Sequence, residues 1–348
     1  MGLPVSGVEL SLDERDKNSS VNFVSHAHSD HTTGVNKTKP IFASPITHDL
    51  IEARKGIEIK RCNELKNTTL LPSGHIIGSK QLYAETDNGY SVLYSGDFQT
   101  DTPILAEKII TKHADILIMD STYPNPEVVF DDKQEVTEAI RSYVNNKLEK
   151  GIILFGAYSL GKAQDLVKIL NDIDIVPVVD KKISTINSIY RDHGVNLKYA
   201  SFYEDEEAFE EHTKGNFVGI VENNKLGNLS VSLGKAYSKR VFTAVASGFA
   251  KIFNMHVDVQ FPLSDHADFK QSVSYIEMCS PKLIYTFGPG ANPSVFAKNL
   301  SKLGYNAHRF VNYKESLSES VLLKNNYWFI AFTFKSGIFV YCLTELSI

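Results

Sequence analysis

The chain has 348 residues, 43% of them hydrophobic and 22% charged, and 36 Lys+Arg against 41 Asp+Glu leave a net charge of −5. This composition excludes a disordered, collagenous or coiled-coil chain. The negative sign argues against a sequence-blind coat protein for nucleic acid, which needs an excess of Lys and Arg.

The length predicts two units of ordinary domain size. Cys62, Cys279 and Cys342 are far apart and odd in number, so no disulfide framework or CxxC metal site is expected and a reducing cytoplasm is. Residues 1–20 show no charged-then-apolar leader pattern. Up to about residue 120, short β-rich runs predict strands at 21–25 (VNFVS), 68–73 (TTLLPS), 91–98 (SVLYSGDF) and 115–121 (DILIMDS). Val136, Ile140, Val144 and Leu148 then recur on one helical face, with Asp131 and Asp132 near its start. Strand 152–157 (IILFGA), helix 160–170, strand 175–179 (IVPVV) and a helix near 183–193 follow, an alternation that predicts a small, mainly parallel α/β unit. Further strands are predicted at 217–221, 229–233 (LSVSL) and 241–247, and a solvated helix face at 204–211 (EDEEAFEE). No Pro/Gly/Ser-rich linker separates the two textures, so the second unit is expected to be inserted into the first. Residues 327–343 are apolar but broken by Lys335, Ser336 and Gly337. A membrane span needs about 20 apolar residues, so a β-hairpin is expected, with no membrane partner. Its edge offers a route to a homodimer.

The segment SHAHSDH places His26, His28, Asp30 and His31 within six residues, directly after the β-run VNFV. Loops at strand ends on a rigid scaffold are where ligands usually sit, and imidazoles and carboxylates in one tight turn suit two adjacent cations. His75 in LPSGHIIGS and Asp97 in LYSGDF lie in similar settings. A carboxylate such as Asp97 can bridge two metals about 3.5–4 Å apart. The six residues are therefore the expected metal ligands. His48, His113, His193, His212, His256 and His308 carry no such pattern.

HxHxDH, a Gly-His-x-x-Gly-Ser loop and a Ser-Gly-Asp strand end together resemble the metallo-β-lactamase fold, and in particular the β-CASP nucleases. The resemblance spans about residues 7–310 and implies an α/β protein: a metallo-β-lactamase αββα sandwich with an inserted α/β β-CASP domain. The expected boundaries are 1–124 and 262–310 for the sandwich, 125–261 for the insertion and 311–348 for a C-terminal extension. The resemblance also implies roles for Asp13 (LSLDER) before the cluster, Asp120 (IMDSTYP) as the family's first added acid and His266 (PLSDHADF) as its added histidine. FGAYSLGKAQDL (155–166) is similar to the segment that opens the family's inserted domain. One departure is Phe287, at a position where many members carry a metal-binding His. Another is Asp120, where Glu is more common.

The activity so implied is a zinc-dependent nuclease, an exonuclease of the RNA-processing or DNA-repair type acting on single-stranded RNA or DNA. Its catalytic set would be Asp30, Asp120 and His266, with His266 protonating the leaving oxygen. Two Zn ions are expected, the second weaker because Phe287 cannot ligate. Texture leans slightly toward the exonucleases found beside DNA ligases. Gly161 and Lys162, where a strand meets a helix start, are expected to meet a substrate phosphate; Arg61, Lys235, Lys239 and Arg240 are further basic residues. The alternatives are a small-molecule ester or thioester hydrolase of the same fold and a degenerate subunit that binds nucleic acid without cleaving.

Overall fold

The computed structural model describes residues 2–14, 16–201 and 203–310, together with the backbone of two strands, Trp328–Phe334 and Gly337–Leu343. The chain opens with β1 (Gly2–Val5) and β2 (Val8–Leu12), an antiparallel pair. β3 (Val21–Phe23), β4 (Pro40–Phe42) and β5 (Lys60–Cys62) then join in parallel to complete a five-stranded sheet. Between β4 and β5 runs α1 (Pro45–Lys55). Ser44 caps it by accepting from the Thr47 N–H, and Gly56 ends it in the left-handed region. β6 (Thr68–Pro72), β7 (Lys80–Glu85) and β8 (Ser91–Tyr94) begin a second sheet as an antiparallel meander, and β9 (Ile116–Asp120) lies parallel to β8.

The chain then leaves this sheet. α2 (Lys133–Lys147) buries Val136, Ile140 and Val144, the predicted stripe, and Asp132 caps it. β10 (Ile152–Ala157), α3 (Lys162–Asn171), β11 (Val178–Val179), α4 (Lys181–Asp192), α5 (Glu206–Thr213), β12 (Val218–Glu222), α6 (Leu226–Tyr237), β13 (Val241–Ala246) and β14 (Val259–Phe261) follow. Their strands form an all-parallel sheet in the order β11-β12-β10-β13-β14. All six residues of central β10 are buried, as a strand covered on both faces requires. α7 (Phe269–Cys279), β15 (Leu283–Phe287), α8 (Asn292–Lys302) and β16 (Ala307–Arg309) return to the second sheet, whose order is β16-β15-β9-β8-β7-β6.

Leu10, Leu12, Phe23 and Phe42 of the first sheet pack against Leu82, Val92, Tyr94 and Ile118 of the second. The outer face of the second sheet is covered by α7 and α8 through Tyr275, Ile276, Phe296 and Leu300. Ile41 of β4 and Leu50 and Ile51 of α1 share one apolar cluster with Ile140, Phe155 and Leu166 of the inserted unit. The architecture is thus an αββα sandwich with an inserted α/β unit.

Two predicted strands change. LSVSL (229–233) is helical, inside α6: Leu229 and Leu233 pack toward Val241 while Val231 is exposed, so the period is that of a helix. IVPVV shortens to Val178–Val179, since Pro177 offers no N–H to a ladder. Trp328–Phe334 and Gly337–Leu343 pair antiparallel; the dimer edge expected of 327–343 depends on side chains outside the described residues. No helix among the described residues is long and apolar enough to cross a membrane.

Candidate metal centre

The sequence-predicted residues meet because parallel strands end together. In the first sheet β2 runs parallel to β3, Leu12 opposite Phe23, so Asp13 and the SHAHSDH loop leave from the same edge. In the second sheet Tyr94 of β8 stands two residues before Asp97's Gly-Asp turn, and Asp120 at the end of β9 is opposite Phe287 of β15. Asp13 takes a left-handed φ of 54°, uncommon for a non-glycine. Its carboxylate accepts from the Ser25 N–H (2.7 Å), Ser25 Oγ (2.6 Å), Tyr94 Oη (2.8 Å) and the His31 ring (2.8 Å), which holds that geometry.

His26, His31, His75 and Asp97 are buried and His28 is half-buried. His26 Nε2 lies 2.9 Å from His28 Nδ1 and 3.5 Å from Asp97 Oδ2. His75 Nε2 lies 3.2 Å from His28 Nδ1 and 3.7 Å from Asp97 Oδ2. A tetrahedral ion with bonds of about 2.0–2.2 Å needs ligand atoms about 3.3–3.5 Å apart, and this set brackets that spacing.

The outer ring atoms say more. His28 Nε2 faces the Leu160 carbonyl at 3.1 Å and His75 Nδ1 the Asp265 carbonyl at 2.8 Å; a carbonyl only accepts, so each of these nitrogens carries the proton. Ser25 Oγ gives its hydrogen to Asp13 and so accepts from His26 Nδ1 at 3.0 Å. Three inner lone pairs and a carboxylate oxygen therefore converge and cannot satisfy one another; a cation is what fits among them. Burial holds all three rings neutral, aided at His26 by the His31 ring: His26 lies well below the ordinary imidazole value, His28 below it, and His75 is pushed down to about 3 by burial and His266.

Beside this cage His31 Nε2 lies 3.3 Å from Asp97 Oδ2 and 3.6 Å from Asp30 Oδ2. Burial opposes a charged ring at His31, but Asp97 and then Asp13 outweigh it and demand a positive charge there. Asp97 itself is held far below the carboxylate range, against its burial, by His31, His266 and His26. No imidazole closes this second position from β15. Phe287 ends that strand, stacked on Tyr94 with ring centroids 4.9 Å apart.

Asp120 and His266, 146 residues apart in sequence, are joined by a 2.9 Å hydrogen bond from His266 Nδ1–H, leaving Nε2 3.9 Å from Asp97 Oδ2. Burial lowers His266, but Asp97 and the bond to Asp120 outweigh it and carry the ring up to about 9. Thr122 Oγ1 and N–H fix the other Asp120 oxygen at 2.8 and 2.9 Å. Gln99 and Ser264 both donate to the His266 carbonyl, at 2.9 and 2.8 Å. Asp268 caps α7, which anchors the segment.

A cleft of about 900 Å³ opens over both groups, walled by Tyr123, Tyr158, Phe249 and Phe287 and carrying Arg54 and Lys182. Lys162 borders the same cleft but is ion-paired. It is 3% exposed, and its Nζ lies 2.5 Å from Asp265 Oδ1 and 3.7 Å from Asp165 Oδ2. The Gly161 N–H is likewise taken, by Gln164 Oε1 at 2.7 Å. Arg61 pairs with Asp49 and Glu52, and Lys239 donates to the Gly215 carbonyl, so neither basic side chain faces the cleft. Sequence reasoning missed the Leu160 and Asp265 carbonyls, which leave no residue-type signal, and Arg54, whose guanidinium donates to the Ala27 carbonyl and Ser29 Oγ and so braces the SHAHSDH loop.

No family model matches the chain. A probable DNA ligase of Opitutus terrae is 29% identical over 299 residues, covering 82% of this chain and 28% of that protein. The 5' exonuclease Apollo of Rattus norvegicus is 32% identical over 161 residues, 40% of this chain and 29% of Apollo. An uncharacterized protein in the lig 3' region of Acidianus ambivalens is 34% identical over 142 residues, 39% of this chain and 96% of that protein. The chain therefore spans less than a third of the ligase and the exonuclease it matches. A solved structure, a protein of unknown function from Enterococcus faecalis V583, superposes with a TM-score of 0.58 at 14% identity, over 86% of this chain and 81% of that one, and shows the same fold. Related along nearly the whole length of the Acidianus protein, and built on this fold, the chain belongs to the β-CASP family of the metallo-β-lactamase fold.

Proposed function

We propose that the chain is a zinc-dependent nuclease that hydrolyses phosphodiester bonds of single-stranded nucleic acid, with DNA the favoured polymer. The observation that carries this reading is the juxtaposition of the four-ligand cage with the Asp120–His266 pair on the floor of one open cleft. His26, His28, His75 and Asp97 would hold one zinc ion, and Asp30, His31 and the shared Asp97 a second, weaker one. Bound there, the ions would supply Lewis-acid polarisation of a phosphate and a source of hydroxide at neutral pH.

The chain's own residues supply the rest. Asp120 fixes the ring of His266 and favours its charged form, so that Nε2–H can donate to the oxygen that leaves. Tyr158, 52% exposed at the carboxyl end of β10, offers a face for an unpaired base. The names of the relatives, a DNA ligase and a 5' exonuclease, support DNA and an exonuclease mode. Cys62 and Cys279 are free thiols, in keeping with a cytoplasmic setting.

The test is incubation of the zinc-loaded protein with 5′- and 3′-labelled single-stranded DNA and RNA, with His26→Ala as control. Stepwise shortening of the DNA that disappears in His26→Ala is expected. Phe287 favours one other reading, a subunit that binds nucleic acid without cleaving. Binding of both polymers with no cleavage of either would select it.

A further inference from the structure

The cage is not closed by its own loops. His28 takes its outer hydrogen-bond acceptor from Leu160, 132 residues away in the inserted unit, and His75 takes its from Asp265, in the segment that returns to the sandwich. Both acceptors are backbone carbonyls, so their positions depend on what fixes the backbone around them. Leu160 lies in the turn between β10 and α3. There Gln164 donates to the Ser159 carbonyl (3.1 Å) and to Asn187 Oδ1 (2.8 Å), and its own amide oxygen takes the Gly161 N–H. Gly161 has a φ of +88°, and a Cβ there would stand 2.6 Å from Ile76 Cγ2, one residue past His75. Two residues after Leu160, the buried ammonium of Lys162 closes on the carboxylate of Asp265 at 2.5 Å. One ion pair thus ties together the two backbone segments whose carbonyls orient two rings of the cage.

We propose that Lys162 is a positioning residue for the metal centre: paired with Asp265, it locks the Leu160 and Asp265 carbonyls against His28 and His75, and so makes the inserted unit part of the metal site's support. This rests on the metal-centre reading given above. Partners that fix the outer nitrogen of a metal-bound imidazole set its tautomer and orientation, and their loss costs about 10–100-fold in metal affinity. The ion pair bridges two chain segments at a buried position, where removing one partner unbalances the buried charges, whereas removing both leaves the neighbouring Lys133 and Asp165 to offset each other.

The experiment uses the full chain and zinc alone as probe. Zinc dissociation constants are measured by chelator competition, and melting of the metal-free protein is recorded, for the wild type, Lys162→Met, Asp265→Asn, the double variant Lys162→Met/Asp265→Asn, and His28→Ala. The expected result is a zinc dissociation constant raised about 10–100-fold in both single variants. The double variant should regain melting close to the wild type while its zinc affinity stays reduced, and that variant keeps the test decisive if Lys162→Met does not fold. Metal-free melting lowered with zinc affinity intact would make the pair merely structural and overturn the inference. Unchanged zinc affinity with weaker binding of oligonucleotide would also overturn it, assigning Lys162 to the substrate. If the wild type binds no zinc more tightly than His28→Ala does, the metal-centre reading itself fails, a result distinct from either.

Discussion

Each cage imidazole has one nitrogen committed outward, to Ser25 Oγ, the Leu160 carbonyl or the Asp265 carbonyl, and one aimed inward, that of His28 lying 2.9 Å from His26's and 3.2 Å from His75's. That division of protons separates a metal site from a cluster of ordinary histidines, which would hydrogen-bond across the gap. His266 uses the same device with a carboxylate in place of a carbonyl, so its ring is oriented and its charged form favoured. Replacing it with Ala should lower the cleavage rate by about 10²–10⁴-fold with zinc content unchanged; loss of zinc in His266→Ala would instead make it a ligand. Asp165 supplies a separate test of the buried charges behind the cage. Burial and the adjacent Asp265 push Asp165 up to about 7. Against the effect of burial, Lys162 and Lys133 hold Asp265 low. A folded pKa above the ordinary 3.8 means that the protonated form is favoured by folding. Its stabilisation is complete below about pH 4 and is lost as pH rises toward 7. Asp165→Asn mimics the protonated group, so its melting temperature should gain on the wild type between pH 4 and 7 and no further above. A difference that does not vary with pH would show that Asp165 is ionised in the fold.

The turn between β10 and α3 carries two tasks: its Leu160 carbonyl braces His28, and its Tyr158 ring faces the cleft. Tyr158→Ala should weaken binding of single-stranded DNA by about 1–3 kcal/mol, read by anisotropy, while cleavage at saturating DNA keeps its rate. Equal weakening for double-stranded DNA would argue against stacking of an unpaired base. Much of this element was legible in the sequence, since the unbroken apolar run IILFGA could only be a covered strand and the apolar spacing after it only a helix. LSVSL misled because Ser230 and Ser232 alternate with Leu229, Val231 and Leu233, a strand's period. The wider spacing Leu226, Leu229, Leu233 and Tyr237, which packs α6 on the parallel sheet, decided the outcome. The ion pair of Lys162 was hidden for a different reason. Its charge at a helix start suggests a phosphate, and nothing local shows that its partner stands 103 residues further on. Pairings of that range are set by topology, which residue types alone do not encode. The cage of His26, His28, His75 and Asp97 was legible because each residue carries its chemistry in its type, and the fold brings their ligand atoms within reach of one ion.

The molecule joins two sheets of a sandwich to an inserted parallel sheet so that the carboxyl ends of β2, β3, β8, β9, β10, β13 and β15 border one cleft, the place where open α/β sheets bind ligands. The net charge of −5 fits this arrangement. Asp13, Asp30, Asp97 and Asp120 crowd the cleft's floor, and on the proposed function the attraction for a phosphate would come from cations bound there together with Arg54 and Lys182. Activity without metal is therefore not expected. The direct measurement strips the full chain with a chelator, returns zinc in steps, and follows bound zinc and the shortening of 5′-labelled single-stranded DNA in the same samples. The expected result is no cleavage by the stripped protein, activity that returns with bound zinc, and neither in His26→Ala. Undiminished cleavage by the stripped protein, or none at any zinc loading, would rule out a zinc-dependent nuclease.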